Sequence, residues 1–218
     1  MILERKFIKR LNKARVLSAV KSYYPSPSFE ELSRIYDSML NLLFKNTSPI
    51  GVYKIEKKRK CINYNLLKDY DHVVYCLVTI GDETENIIDN FFNENQFTQA
   101  IVLDAMASSL LFEISSQLFN SIHDYAKALG MGLSCKIAPG DGEIELEYQR
   151  EIVNILSDSN KHTIRLVDNY MLSPSKSMSY IYGADKNVEP NSIDHNCSNC
   201  FNNYCSMRNI SEEIRNPF

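Results

Sequence analysis

Eight consecutive residues, Val73-Val-Tyr-Cys-Leu-Val-Thr-Ile80, constrain the fold most. They are nearly all apolar, the pattern of a strand buried on both faces. Such a strand needs an apolar layer above and below it. Gly81 breaks the run, and Asp82-x-x-Glu85 then reads as the start of a helix carrying Ile87, Ile88, Phe91 and Phe92.

The rest of the chain supplies candidates for the covering layers. Ser28-x-x-Glu31 is a capping box. The helix after it carries Phe29, Leu32, Ile35, Met39, Leu42 and Leu43 on one stripe, and Pro25 and Pro27 separate it from a shorter N-terminal helix. Thr98–Leu129 is the longest helical stretch, with Leu111, Ile114, Leu118, Ile122, Tyr125 and Leu129 at three- and four-residue steps. Ala100, Ala105, Ala107, Ser108 and Ser109 make its first half small-sided, and Gly130 ends it. Asp104, in that half, reads as a cap for a neighbouring element or a ligand contact. Val52–Ile55 and Cys61–Tyr64 flank a basic run and are expected to pair as a hairpin. Thr163–Met171 and Ser177–Tyr182 read as two strands joined by Ser-Pro-Ser-Lys. No internal repeat is visible. This order predicts an α+β domain over residues 1–183, a sheet covered by helices, followed by a polar, cysteine-containing tail over 184–218.

At 218 residues and 44% apolar content the chain can build a substantial core. No uninterrupted apolar run reaches the roughly 18–20 residues that span a bilayer, and the start lacks a signal-peptide pattern. The expectation is a cytoplasmic protein without a membrane partner. A net charge of −3 argues against a nucleic-acid binder. Residues 1–21 nevertheless carry seven Lys/Arg against one acid, and Lys54–Lys60 is a second basic run. Both read as solvated segments, or else as a docking surface for an acidic partner.

Residues 131–183 carry the most functional information. A short strand, Leu133–Ile137, runs into Ala138-Pro139-Gly140-Asp141-Gly142, and a helix is expected to follow with Ile144, Tyr148, Ile152 and Leu156 on one face. A proline and two glycines there permit a tight turn and close backbone approach. The ordered set Lys136-x-Ala138-Pro139-Gly140-x-Gly142, Leu146, Gln149, Met171-Leu172-x-Pro174-x-Lys176-Ser177-x-Ser179-x-Ile181-x-Gly183 resembles the activation domain of cobalamin-dependent methionine synthase. Its short stand-alone relatives are the nearest likeness. Thr79-x-Gly81 and Leu103-Asp104-Ala105-x-Ala107-Ser108 match as well, and the likeness spans roughly residues 14–208.

The resemblance implies a bent, mostly antiparallel sheet and a domain that binds S-adenosylmethionine. The ligand is presented to a Co(II) corrinoid for reductive methylation, with an electron from a flavodoxin-type donor. The cobalamin belongs to the partner, a corrinoid protein or a methionine synthase lacking its own activation domain. Such a component needs no catalytic acid or base; its contribution is positioning and electrostatics. Lys136 stands where the family has an arginine that meets the ligand carboxylate, and Asp141 stands where it has a tyrosine. The implied ligand-binding set is Lys136, Ala138, Pro139, Gly140 and Asp141, with Tyr180 and Tyr182 as aromatic residues able to cover an adenine. The alternative reading is a non-catalytic corrinoid-protein partner that has lost the ligand and keeps a metal-binding or redox tail.

That tail holds Cys197-Ser-Asn-Cys200-Phe-Asn-Asn-Tyr-Cys205, with His195 just before it. Cys-x-x-Cys lets two thiolates reach one soft metal ion from a single turn, and Cys205 and His195 could complete four ligands. Zinc and an iron–sulfur cluster both fit this set. Redox-active thiols are the other chemical reading, and the bland one is no functional role. Many stand-alone relatives resemble this tail, with an arginine at the position of Arg208. Cys61, Cys76 and Cys135 fall singly in apolar segments and read as core thiols.

Overall fold

The computed structural model describes residues 1–59, 62, 64–157, 164–189 and 194. His72–Thr79 (β3) is the middle strand of a curled five-stranded antiparallel sheet. Its neighbours are Ile50–Lys57 (β2) and Ser177–Asp185 (β7), with Ile2–Glu4 (β1) and Gly132–Leu133 (β4) at the two edges. The expected central strand and α+β class are therefore present.

The alternation of β3 sorts its side chains into two cores. Val74, Cys76 and Val78 face a large core, together with Tyr180, Tyr182 and Ala184 of β7. That face is covered by Lys13–Tyr23 (α1), Phe29–Lys45 (α2), Glu83–Asn93 (α3) and Phe97–Ala128 (α4). Val73, Tyr75 and Leu77 face a smaller core under Tyr148–Leu156 (α5). Continuous apolar sequence in β3 follows from this double cover.

α4 is long and apolar enough to cross a membrane by length and composition. Here its apolar stripe, including Leu103, Leu110, Ile114, Leu118 and Ile122, lies buried in the large core. Ser28 Oγ accepts from the Glu31 N–H at 3.1 Å, so the expected cap of α2 is made. Asp82 precedes α3 without a side-chain cap bond.

Three local expectations differ from the structure. β2 pairs along its whole length with β3, which offers a complete eight-residue ladder; of the expected partner strand, Ile62 and Tyr64 lie outside every strand, and Cys61 and Asn63 are outside the described residues. Ile62 lies outside the sheet and plugs the smaller core. The helix after the glycine loop begins at Tyr148, later than its apolar spacing suggests. Gly140 and Gly142 have positive φ, and Gly140 N–H donates to Ile144 O at 2.7 Å. This closes a turn that inserts Ile144 into the core as a loop residue. Of the described part of the strand expected over 163–171, only Arg165–Leu166 (β5) is in a strand, paired with Leu172–Ser173 (β6). The chain between them coils through a short 3-10 turn ending at Tyr170, φ +62°.

Several basic residues near the N-terminus bind within the fold. Lys9 donates to the carbonyls of Phe44 and Thr47, Arg10 pairs with Glu113 and Lys13 with Asp37. In the second basic run, Lys54 pairs with Glu56 and Arg59 with Glu151.

Candidate functional site

Lys136 leaves the end of the short segment after β4 and points onto the α4 face of the sheet. The segment is pinned there by the backbone. Ile137 and Ile181 exchange N–H···O bonds of 3.0 and 2.9 Å, and Ser134 N–H donates to Gly183 O at 2.9 Å. The Lys136 ammonium donates to Ser115 Oγ of α4 at 2.8 Å and to Asp194 Oδ2 at 2.9 Å. It also lies 4.5 Å from the centre of the Tyr180 ring. Its side chain is 11% exposed and that of Asp194 is 18% exposed, so this is a largely desolvated ion pair.

The second Asp194 oxygen, Oδ1, accepts from the Tyr182 hydroxyl at 2.5 Å, and Asp194 O accepts from Lys136 N–H at 2.9 Å. Burial holds the Tyr180 and Tyr182 hydroxyls well above the ordinary tyrosine range. Tyr182 is thus a fixed hydrogen-bond donor at neutral pH. The arrangement gathers an ammonium and a phenol on both oxygens of one carboxylate.

Of the residues expected at a ligand site, Lys136, Tyr180 and Tyr182 come together in this cluster. The two rings meet edge-on at 5.7 Å, and both residues are 0% exposed. They contribute to the core and to the floor beneath Lys136. Ala138 packs against the large core. Pro139, Gly140 and Asp141 continue away in the turn, where Asp141 N–H donates to Ala138 O at 3.0 Å. Cys197, Cys200, Cys205 and His195 lie outside the described residues. Among the described residues no group of three or more His, Cys, Asp or Glu is placed to hold a metal ion. Burial pushes the Cys76 thiol well up, so it stays protonated.

Two contributors escaped sequence reasoning. Ser115 falls on the same helical stripe as Leu111 and Leu118, and a small polar residue at such a core position is a readable signal. Asp194 stands in a polar stretch without periodicity and gives no signal.

Other matched motif residues contact one another elsewhere on the sheet. Lys176 pairs with Asp104 Oδ1 at 2.6 Å and donates to Ser108 Oγ at 2.9 Å. Thr79 Oγ1 accepts from Ser177 Oγ at 2.9 Å, and Ile80 N–H donates to Lys176 O at 3.2 Å. Gln149 accepts from Ser179 Oγ and donates to Tyr170 O. Lys176 with Asp104 and Ser108, Ser177 with Thr79, and Gln149 with Ser179 are thus contacts between separate motifs.

No protein-family model matches the chain, and no curated protein matches it in sequence. The chain is similar in structure to the MetH reactivation domain, solved bound to AdoHcy. The TM-score is 0.61 at 15% identity, covering 88% of this chain and 81% of that one. At this identity the likeness shows a shared fold.

Proposed function

We propose that the chain binds an S-adenosyl ligand and serves as an accessory component for a corrinoid methyltransferase. The observation that carries this reading is the carboxylate receptor around Lys136. Its ammonium, positioned by Ser115 Oγ, and the Tyr182 hydroxyl are held on different parts of the buried core, and these two donors already fit the two oxygens of one carboxylate. A ligand with an amino-acid end, as AdoHcy and S-adenosylmethionine both have, offers that group. The solved neighbour of like fold is bound to AdoHcy, which supports the same assignment.

When bound, S-adenosylmethionine would supply the methyl group. This chain's part is positional. Lys136 anchors the carboxylate as a point charge rather than as a bidentate fork. The turn through Pro139 and Gly140 lets backbone approach the ligand closely. Asp141, half-buried at the end of that turn, supplies negative charge for a cationic sulfonium. The partner under this reading is a corrinoid protein or a methionine synthase without its own activation domain, with a flavodoxin-type donor. Ala184 and Asp185 belong to β7, so the proposed tail starts after them, and in it Cys197, Cys200, Cys205 and His195 would hold zinc or an iron–sulfur cluster. The test is reactivation: an inactive Co(II) corrinoid partner, a reductant and S-adenosylmethionine, with and without this chain. Recovery only with the chain supports the proposal.

One observation favours a second reading. Lys136 already holds a carboxylate of its own chain, as it would in a partner protein that no longer takes the ligand. Under that reading the chain would bind the corrinoid protein without S-adenosylmethionine, and no nucleotide affinity would be measurable.

A further inference from the structure

We propose that Asp194 is an internal stand-in for the ligand carboxylate, so that ligand entry requires Asp194 to leave Lys136. The inference rests on the reading that Lys136 receives a ligand carboxylate.

A lysine ammonium has three N–H donors. One is directed to Ser115 Oγ, one to Asp194 Oδ2, and the face of the Tyr180 ring lies along the remaining side. No donor is left for a second carboxylate. The site is also too poorly hydrated to accept two anions beside one cation, since Lys136 is 11% exposed. Occupation by Asp194 and by a ligand carboxylate is therefore mutually exclusive.

The two sides of the contact are anchored differently. Ser115 sits within α4, Tyr182 within the β3–β7 ladder, and Lys136 beside the Ile137–Ile181 bridge. These three belong to the buried frame of the molecule. Asp194 itself stands outside every helix and strand. Among the described residues, displacing it breaks one ion pair, one phenol bond and one backbone bond, none of them part of a helix or a strand ladder. The incoming carboxylate recovers the first two contacts. The part of the cost that is not recovered appears as a reduced apparent affinity.

The experiment is calorimetric titration of AdoHcy and of 5′-methylthioadenosine into the full wild-type chain, Asp194→Ala and Asp194→Asn. Methylthioadenosine shares the nucleoside and sulfur but lacks the amino-acid end. Asp194→Asn keeps an acceptor for Tyr182 without the charge, so it decides the matter should Asp194→Ala fold poorly. The expected result is AdoHcy affinity at least about tenfold tighter in the variants, with methylthioadenosine affinity unchanged across all three chains. Equal AdoHcy affinity in every chain overturns the stand-in role and leaves ligand binding intact. Equal affinity for the two ligands everywhere overturns the carboxylate role of Lys136. Absence of binding in all three chains removes the proposed function, and the stand-in role with it.

Discussion

Lys176 Nζ reaches across from the turn before β7 to Asp104 on α4 and pairs with it at 2.6 Å. The lysine is 16% exposed and the aspartate 49%, so solvent screens half of the contact. The pair ties the start of β7 to the small-sided half of α4. A double-mutant cycle with Lys176→Met and Asp104→Asn should give a coupling of about 1 kcal/mol or less. If Asp104→Asn weakens ligand binding without lowering the melting temperature, Asp104 contacts ligand and its structural assignment is wrong.

The centre of the sheet sets a larger effect. Val78 is fully buried in the large core between β2 and β7. Val78→Asp places an unpaired carboxylate there and should cost about 4 kcal/mol or more. Chemical denaturation measures it, and wild-type stability in that variant would mean the strand is exposed.

Gly183 predicts an unusual sign. Glycine to alanine in regular structure commonly stabilises by roughly 0.5–1 kcal/mol. Here an added Cβ would stand 2.4 Å from Cγ of the Tyr70 ring, which rests on the glycine. Gly183→Ala should therefore destabilise, by about 2 kcal/mol. The double variant Gly183→Ala/Tyr70→Ala should lose less than the sum of its two single changes.

Asp185 gives the pH dependence. Its carboxyl is held below the ordinary aspartate range, first by the Asn187 backbone N–H and then by that of Asp71, each at 2.8 Å. A depressed folded value contributes stability that is present above the unfolded value, about pH 3.9, and is lost as pH falls through the folded one. Melting temperatures of wild type and Asp185→Asn should converge below about pH 4. An unchanged gap between them at acid pH would rule out this source of stability.

Much of this fold was legible because burial leaves periodic traces. β3, α2 and α4 each carry an apolar pattern with one structural solution, and Ser28 marks the start of its helix by a bond it makes. Register and turn chemistry were less readable. Ile144 has the spacing of a helical residue but enters the core from a glycine turn, because Gly142 takes a positive φ that the apolar count ignores. Ile62 has the apolar character of a strand partner for β2, but it is apolar for reasons of core filling rather than of pairing. At the site, Lys136 was identifiable by resemblance. Its partner Asp194 was not, since a single polar residue in a polar stretch acquires meaning only through a contact distant in sequence.

Ligand titration tests the central claim most directly, with AdoHcy added to wild type, Lys136→Arg and Lys136→Gln. The account predicts saturable binding to wild type, retained in Lys136→Arg and at least about tenfold weaker in Lys136→Gln, a loss of roughly 1.4 kcal/mol or more. No binding to wild type at millimolar AdoHcy, or equal affinity in all three chains, would contradict it.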